Sequence, residues 1–160
     1  MSQNHLSHSI IVDATPEEVY DLISDVTRTG EWSPVCRAAW WEEGQGPRVG
    51  DWFGGRNEVP GRTWETRSQV VVADRGREFR WQIEGRYVVW AYLMRAVGEP
   101  DAAQTELTET WDLNEATEQR FADNYGDRAE ELLEQRRQEA RDGIPATLAT
   151  LKGVLEGSTD

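Results

Sequence analysis

The chain has very little cysteine: Cys36 stands alone among 160 residues, so no internal disulfide can form. It is also poor in positive charge. Seventeen bases, of which only Lys152 is a lysine, face 30 acids, and the formal charge is -13. That balance excludes an electrostatic grip on DNA, RNA or an anionic membrane, because those partners need a basic face. No stretch approaches the roughly 20 apolar residues that span a bilayer. The start, "MSQNHLSHSIIVD", lacks a basic region followed by an apolar one. A cytoplasmic location without membrane insertion is the expectation. His5 and His8 are the only histidines. On a strand they face opposite sides, so no metal site is expected. Cys36 and His8 could form a nucleophilic pair only if their strands pair, and no third orienting group is visible. Phosphate loops, dinucleotide fingerprints and nucleophile elbows are missing, and no cofactor is expected.

What is abundant is tryptophan. Trp32, Trp40, Trp41, Trp52, Trp64, Trp81, Trp90 and Trp111 each bring a wide apolar ring and one N–H. Their placement follows a simple plan. "LSHSIIVD" (6–13) reads as a strand. "ATPEEVYDLISDV" reads as a helix, with Thr15 as N-cap, Pro16 at its first position and Glu18 completing a capping box. Gly30 and Pro34 end that segment, and Trp32 sits between them, where a large ring is unusual. From Cys36 to Leu113 the period changes to two, giving strands at 36–43, 51–58, 62–73, 78–84, 87–97 and 104–113. Turn chemistry in "VPG", "DRG", "EGR" and "GEPD" makes the strands antiparallel.

Residues 115–142 carry both charge signs and read as a solvated helix face. In "IPATLATLKGVLE", Ile144, Leu148, Leu151 and Leu155 form a buried helical stripe. One long helix from about 128 to 156, kinked at Pro145, fits this pattern; a second helix opening at Pro145 is the alternative. No linker or repeat divides the chain, so residues 1–160 are expected to form one domain. A curved antiparallel sheet wrapped around this helix follows, in the order β-α-α-β6-α, an α+β arrangement of about seven strands.

The chain resembles the START/Bet v 1-like superfamily with the helix-grip fold, in its bacterial polyketide cyclase/dehydrase and lipid-transport-like branch. The resemblance rests on "IIVDATPEEVYDLISDVTRTGEWSP", "GPRVGDWFGGRNEVPGRTWETRSQVV", "VVWAYLMRA" with "LTETWDL", and "GIPATLATLKGVLE". It implies a cavity between the sheet and the long helix for a small hydrophobic or aromatic molecule. It also places Trp32 beside that cavity, and Trp64 on the strand where cyclase relatives carry a wall tryptophan. Val70 stands where such cyclases have a mechanistic arginine, and Gln82 near a second one. Valine cannot polarise a carbonyl.

With Trp64 inward, strand parity turns Thr66, Ser68, Val70 and Val72 inward. The family pattern anchors Phe79, Trp81, Ile83, Trp90, Tyr92, Met94, Leu107, Glu109 and Trp111 in the same way. Asn57 shares its parity with Phe53 and Gly55, and Leu148 comes from the helix. Each could instead be ordinary core. The ligand-binding set is therefore Trp32, Asn57, Trp64, Thr66, Ser68, Val70, Phe79, Trp81, Trp90, Tyr92, Leu107, Glu109, Trp111 and Leu148. Glu109 is the candidate acid/base or polar anchor, because an inward carboxylate must pair, stay hydrated or take a proton. Three readings stay open: a hydrophobic-ligand binder, a cyclase/dehydratase-type enzyme, and a ligand-free, co-chaperone-like interaction protein. Monomer and homodimer are both compatible.

Overall fold

Turn and period signals in the sequence materialise as seven strands and three helices in a computed structural model that describes residues 4–44 and 46–157. The order is β1 (His5–Val12), α1 (Pro16–Ile23), a 3-10 helix (Val26–Glu31), β2 (Cys36–Trp41), β3 (Trp52–Val59), β4 (Arg62–Asp74), β5 (Glu78–Ile83), β6 (Val89–Val97), β7 (Gln104–Asp112), α2 (Glu115–Tyr125), a 3-10 turn (Gly126–Arg128) and α3 (Ala129–Leu155). The strands form one antiparallel sheet in the order β1-β7-β6-β5-β4-β3-β2. This is the helix-grip arrangement. β1 and β2 lie at opposite edges, so His8 and Cys36 are never neighbours, and the conceivable Cys–His pair does not form.

Local chemistry explains the helix starts. Thr15 Oγ1 accepts from the Glu18 N–H at 3.1 Å, and the Glu18 carboxylate accepts from the Thr15 N–H at 2.9 Å. Two otherwise unpaired donors are thereby satisfied. Asn114 caps α2 through Thr117 and also donates to the carbonyls of Arg86 and Tyr87, tying the helix start to the β5–β6 turn. The charged stretch after 115 is more than a solvated face. It builds α2, and Arg137 of α3 is buried, donating to Asn4 Oδ1 at 3.0 Å and to Glu130 at 2.8 Å.

α3 runs unbroken through Pro145, so no second helix begins there. A proline inside a helix removes one hydrogen bond and costs about 3 kcal/mol. Ile144, Leu148 and Leu151 are buried around it. At about 1.5–3 kcal/mol each, their burial outweighs the break.

The sheet bends where its ladders slip. In β4 the register shifts between Val70, which faces Trp81, and Val72, which faces Arg80. The extra residue inverts the parity beyond it. Ala73 therefore turns inward opposite Phe79, and Val72, expected inward, points outward. A second slip lies between Cys36 and Ala38 of β2. Gly54 admits the Trp40 ring on the outer face: a Cβ there would lie 2.6 Å from ring atoms. Trp52 also lies outside, with the Arg67 guanidinium 3.8 Å above it. The tryptophan excess is thus divided between the two faces.

Gly30 packs the 3-10 helix onto β2, where a Cβ would sit 2.9 Å from the Arg37 carbonyl oxygen. Backbone cannot swing aside as a side chain can. Gly30→Ala is expected to lower stability by about 1–3 kcal/mol in urea unfolding. A wild-type midpoint would mean that this contact relaxes freely.

Candidate functional site

Between the concave face of the sheet, the 3-10 helix with its following loop, and helices α2 and α3 lies a cavity of about 400 Å³. That is within the usual range for small-molecule sites. Strand pairing explains its walls. Trp90 lies opposite Trp111, Tyr92 opposite Glu109, and Trp81 opposite Trp90, so their side chains share one face. Trp81 is the centre of the aromatic wall. Its ring stacks on Trp90 at 6.3 Å and meets Tyr92 at 5.6 Å, Phe79 at 5.7 Å and Phe53 at 6.4 Å. Such pairs add about 0.5–1.5 kcal/mol each beyond the area they bury.

Eleven of the expected residues line the cavity: Trp32, Asn57, Trp64, Thr66, Ser68, Phe79, Trp81, Trp90, Tyr92, Glu109 and Trp111. Val70, Leu107 and Leu148 do not. All three are buried, but they pack in the solid core beyond the cavity. Period-two reasoning identifies the face of a strand, not how far along it the empty space extends. Trp32 closes one end. It caps the 3-10 helix, is 3% exposed, and has its indole N–H near the Tyr92 side chain.

Other lining residues escaped the sequence. Phe121 and Arg120 of α2 and Arg136 and Glu139 of α3 come from the highly charged stretch. Thr117 and Phe121 are four residues apart, the spacing of one helix face, and Phe121 is the one phenylalanine in that stretch. That signal was present but faint. Cys36, Ala39 and Phe53 also line the cavity, as does Ile83, which parity had already turned inward.

The polar groups inside are few. Asn57 Nδ2 donates to Thr66 Oγ1 at 3.3 Å, and the Cys36 thiol donates to the Ala38 carbonyl at 3.3 Å. Burial pushes that thiol's pKa up, away from nucleophilic behaviour. Glu109 differs. It is 4% exposed, and its Oε1 has no hydrogen-bond partner. Burial drives its carboxyl pKa well above the ordinary carboxylate range, so the neutral acid is favoured. His8 is its cross-strand partner, but that side chain stays exposed at the sheet edge. Burial, reinforced by Glu109, also raises the Tyr92 phenol well above its normal value, against the opposing effect of the nearby Trp32 indole N–H. The site is therefore an apolar, aromatic chamber with a carboxyl and a phenol side by side, each shifted by burial toward its neutral form. Gln82 lies outside it, donating to the Tyr87 carbonyl, so neither cyclase-type arginine position supplies a guanidinium.

Among the described residues, no cluster of His, Cys, Asp and Glu comes together at metal-binding spacing. No helix there is long and apolar enough to cross a membrane.

Known proteins agree with this architecture. The family described as polyketide cyclase/dehydrase and lipid transport matches residues 3–149. The solution structure of the Polyketide_cyc-like protein Cgl2372 from Corynebacterium glutamicum is 44% identical, covers 98% of this chain and 93% of its own, and superposes with a TM-score of 0.70. A START superfamily protein from Mycobacterium smegmatis is 14% identical, with 97% and 99% coverage and a TM-score of 0.68. Ginseng major latex-like protein 151 from Panax ginseng is 11% identical, with 93% and 95% coverage and a TM-score of 0.64. At such identity the last two speak for the fold alone. No curated protein matches the chain.

Proposed function

Because the chain belongs to the polyketide cyclase/dehydrase and lipid transport family, within the START/Bet v 1-like superfamily, we propose that it binds a small hydrophobic or aromatic molecule in the chamber between sheet and α3. One observation carries the reading: an aromatic cavity of about 400 Å³ lined by a buried polar atom, Glu109 Oε1, that has no partner among the described residues. A buried polar group without a partner costs about 1–3 kcal/mol. A ligand oxygen accepting from the protonated carboxyl recovers much of that cost. The aromatic walls then bury the remainder of the ligand, and the preferred guest carries a carbonyl or hydroxyl on an apolar frame.

The same acid favours a second reading. A neutral carboxyl beside a neutral phenol can protonate a carbonyl or enolate oxygen, so a cyclase/dehydratase-type reaction could proceed here by positioning and proton transfer. Valine at position 70 speaks against the arginine-assisted form of that chemistry.

Tryptophan fluorescence titration with fluorenone and fluorene tests the binding reading, since the two differ by one carbonyl. Fluorenone is expected to bind more tightly, and Glu109→Leu to weaken it by up to about tenfold while sparing fluorene. If neither compound perturbs the fluorescence, and native mass spectrometry of the fresh protein retains no small molecule, the reading fails.

A further inference from the structure

The mouth of the chamber has the opposite charge to the chain as a whole. Besides Glu109, its charged lining residues are Arg62, Arg120, Arg136 and Glu139. Three guanidiniums therefore face one exposed carboxylate, in a chain carrying 30 acids and 17 bases. Glu139 of α3 accepts from Arg136 at 2.7 Å and reaches Arg62 of β4 at 3.5 Å, bridging helix and sheet across the mouth. The second contact is long and exposed, so it holds weakly. Arg62 lies 4.0 Å above the Trp64 ring, and Arg120 lies 4.5 Å above Tyr87. Arg120 has no ion-pair partner among the described residues. Both cations are thus held by aromatic faces at the rim, with N–H groups free for an incoming acceptor.

We infer that the ligand is an organic anion, with its apolar body in the chamber and a carboxylate or phosphate at the mouth held by Arg62, Arg120 and Arg136. This deepens the binding reading above and rests on it. The deep end does not suit the anionic group, since its polar groups are neutral amide, hydroxyl and phenol beside the buried Glu109 carboxyl, and the cavity's cations are all at the rim. At the rim, an anion competes with Glu139 for Arg62 and Arg136, and Glu139 is exposed enough to turn into water. Two polarities along one cavity also fix the ligand's direction: neutral oxygen inward, charge outward.

Dodecanoate, dodecyl phosphate and 1-dodecanol share one chain and differ in head group. Titrated into the purified protein at pH 7 and low salt, at least one anion is expected to bind about tenfold more tightly than the alcohol. The tighter of the two identifies the head group. That advantage should shrink as salt is raised on the unaltered chain, because salt screens exposed charges. In Arg120→Gln/Arg136→Gln, anion affinity should fall by about tenfold and alcohol affinity by less than about twofold. Equal binding of all three compounds, without salt dependence, would overturn the anion inference and leave the cavity reading intact. So would a variant that loses alcohol and anion alike. If none of the three binds and fluorenone also fails, the cavity reading falls, and this inference with it.

Discussion

Replacing Glu109 by glutamine is expected to flatten the pH dependence of stability above pH 4.5. In the unfolded chain the Glu109 carboxyl ionises near the ordinary value of 4.5, while in the folded chain burial holds the proton on well above that. Between those two points the folded state binds more protons than the unfolded one, so each rise in pH favours unfolding. The contribution is complete below 4.5 and is lost as pH rises toward the folded-state value. Its slope is at most about 1.4 kcal/mol per pH unit. Glutamine has no proton to lose. In urea unfolding between pH 5 and 8, wild type should fall progressively relative to Glu109→Gln. Parallel profiles would show that water or an unseen cation reaches the carboxylate, and would remove the neutral acid from the site's chemistry.

Trp32→Ala should be among the most damaging substitutions in the chain. The ring is buried, lines the cavity and carries its N–H near Tyr92. Buried tryptophan-to-alanine changes cost about 3–5 kcal/mol. In a domain of this size that lowers Tm by roughly 6 to 20 °C. Trp32→Phe separates the two contributions. It restores most of the apolar area but not the N–H, and should cost only about 0.5–1.5 kcal/mol more than wild type. A Tm for Trp32→Ala within about 2 °C of wild type would mean that the ring is not structural, whatever its burial.

Legibility differed by element for physical reasons. The capping box at Thr15 and Glu18 is a local motif whose atoms lie within one turn, so the sequence contains all of it. The strands were legible because side chains alternate at a period of two, and Phe79, Trp81 and Glu109 follow that rule. The rule broke at Val72, because a bulge depends on the neighbouring strand and leaves no mark on β4 itself. Phe121 and Arg120 were hidden for a related reason. The charges of α2 are those of any exposed helix, and only its docking beside α3 turns one face to the cavity.

The sequence by itself determined the succession of the strands, which residues of a strand share a face, and the absence of a disulfide, each from near neighbours or from composition. That the face carrying Trp64, Trp81, Trp90, Tyr92, Glu109 and Trp111 points inward came from the family resemblance, and the separation of α2 from α3 came from the structure. Only the tertiary structure decided that Val70, Leu107 and Leu148 are core and that Phe121, Arg120, Arg136 and Glu139 border the cavity. It alone decided that Glu109 is left without a partner and that three arginines meet at the mouth. Cavities and unpaired groups are properties of surfaces distant in the chain. They exist only where bulges, edges and helix docking bring those surfaces together or hold them apart.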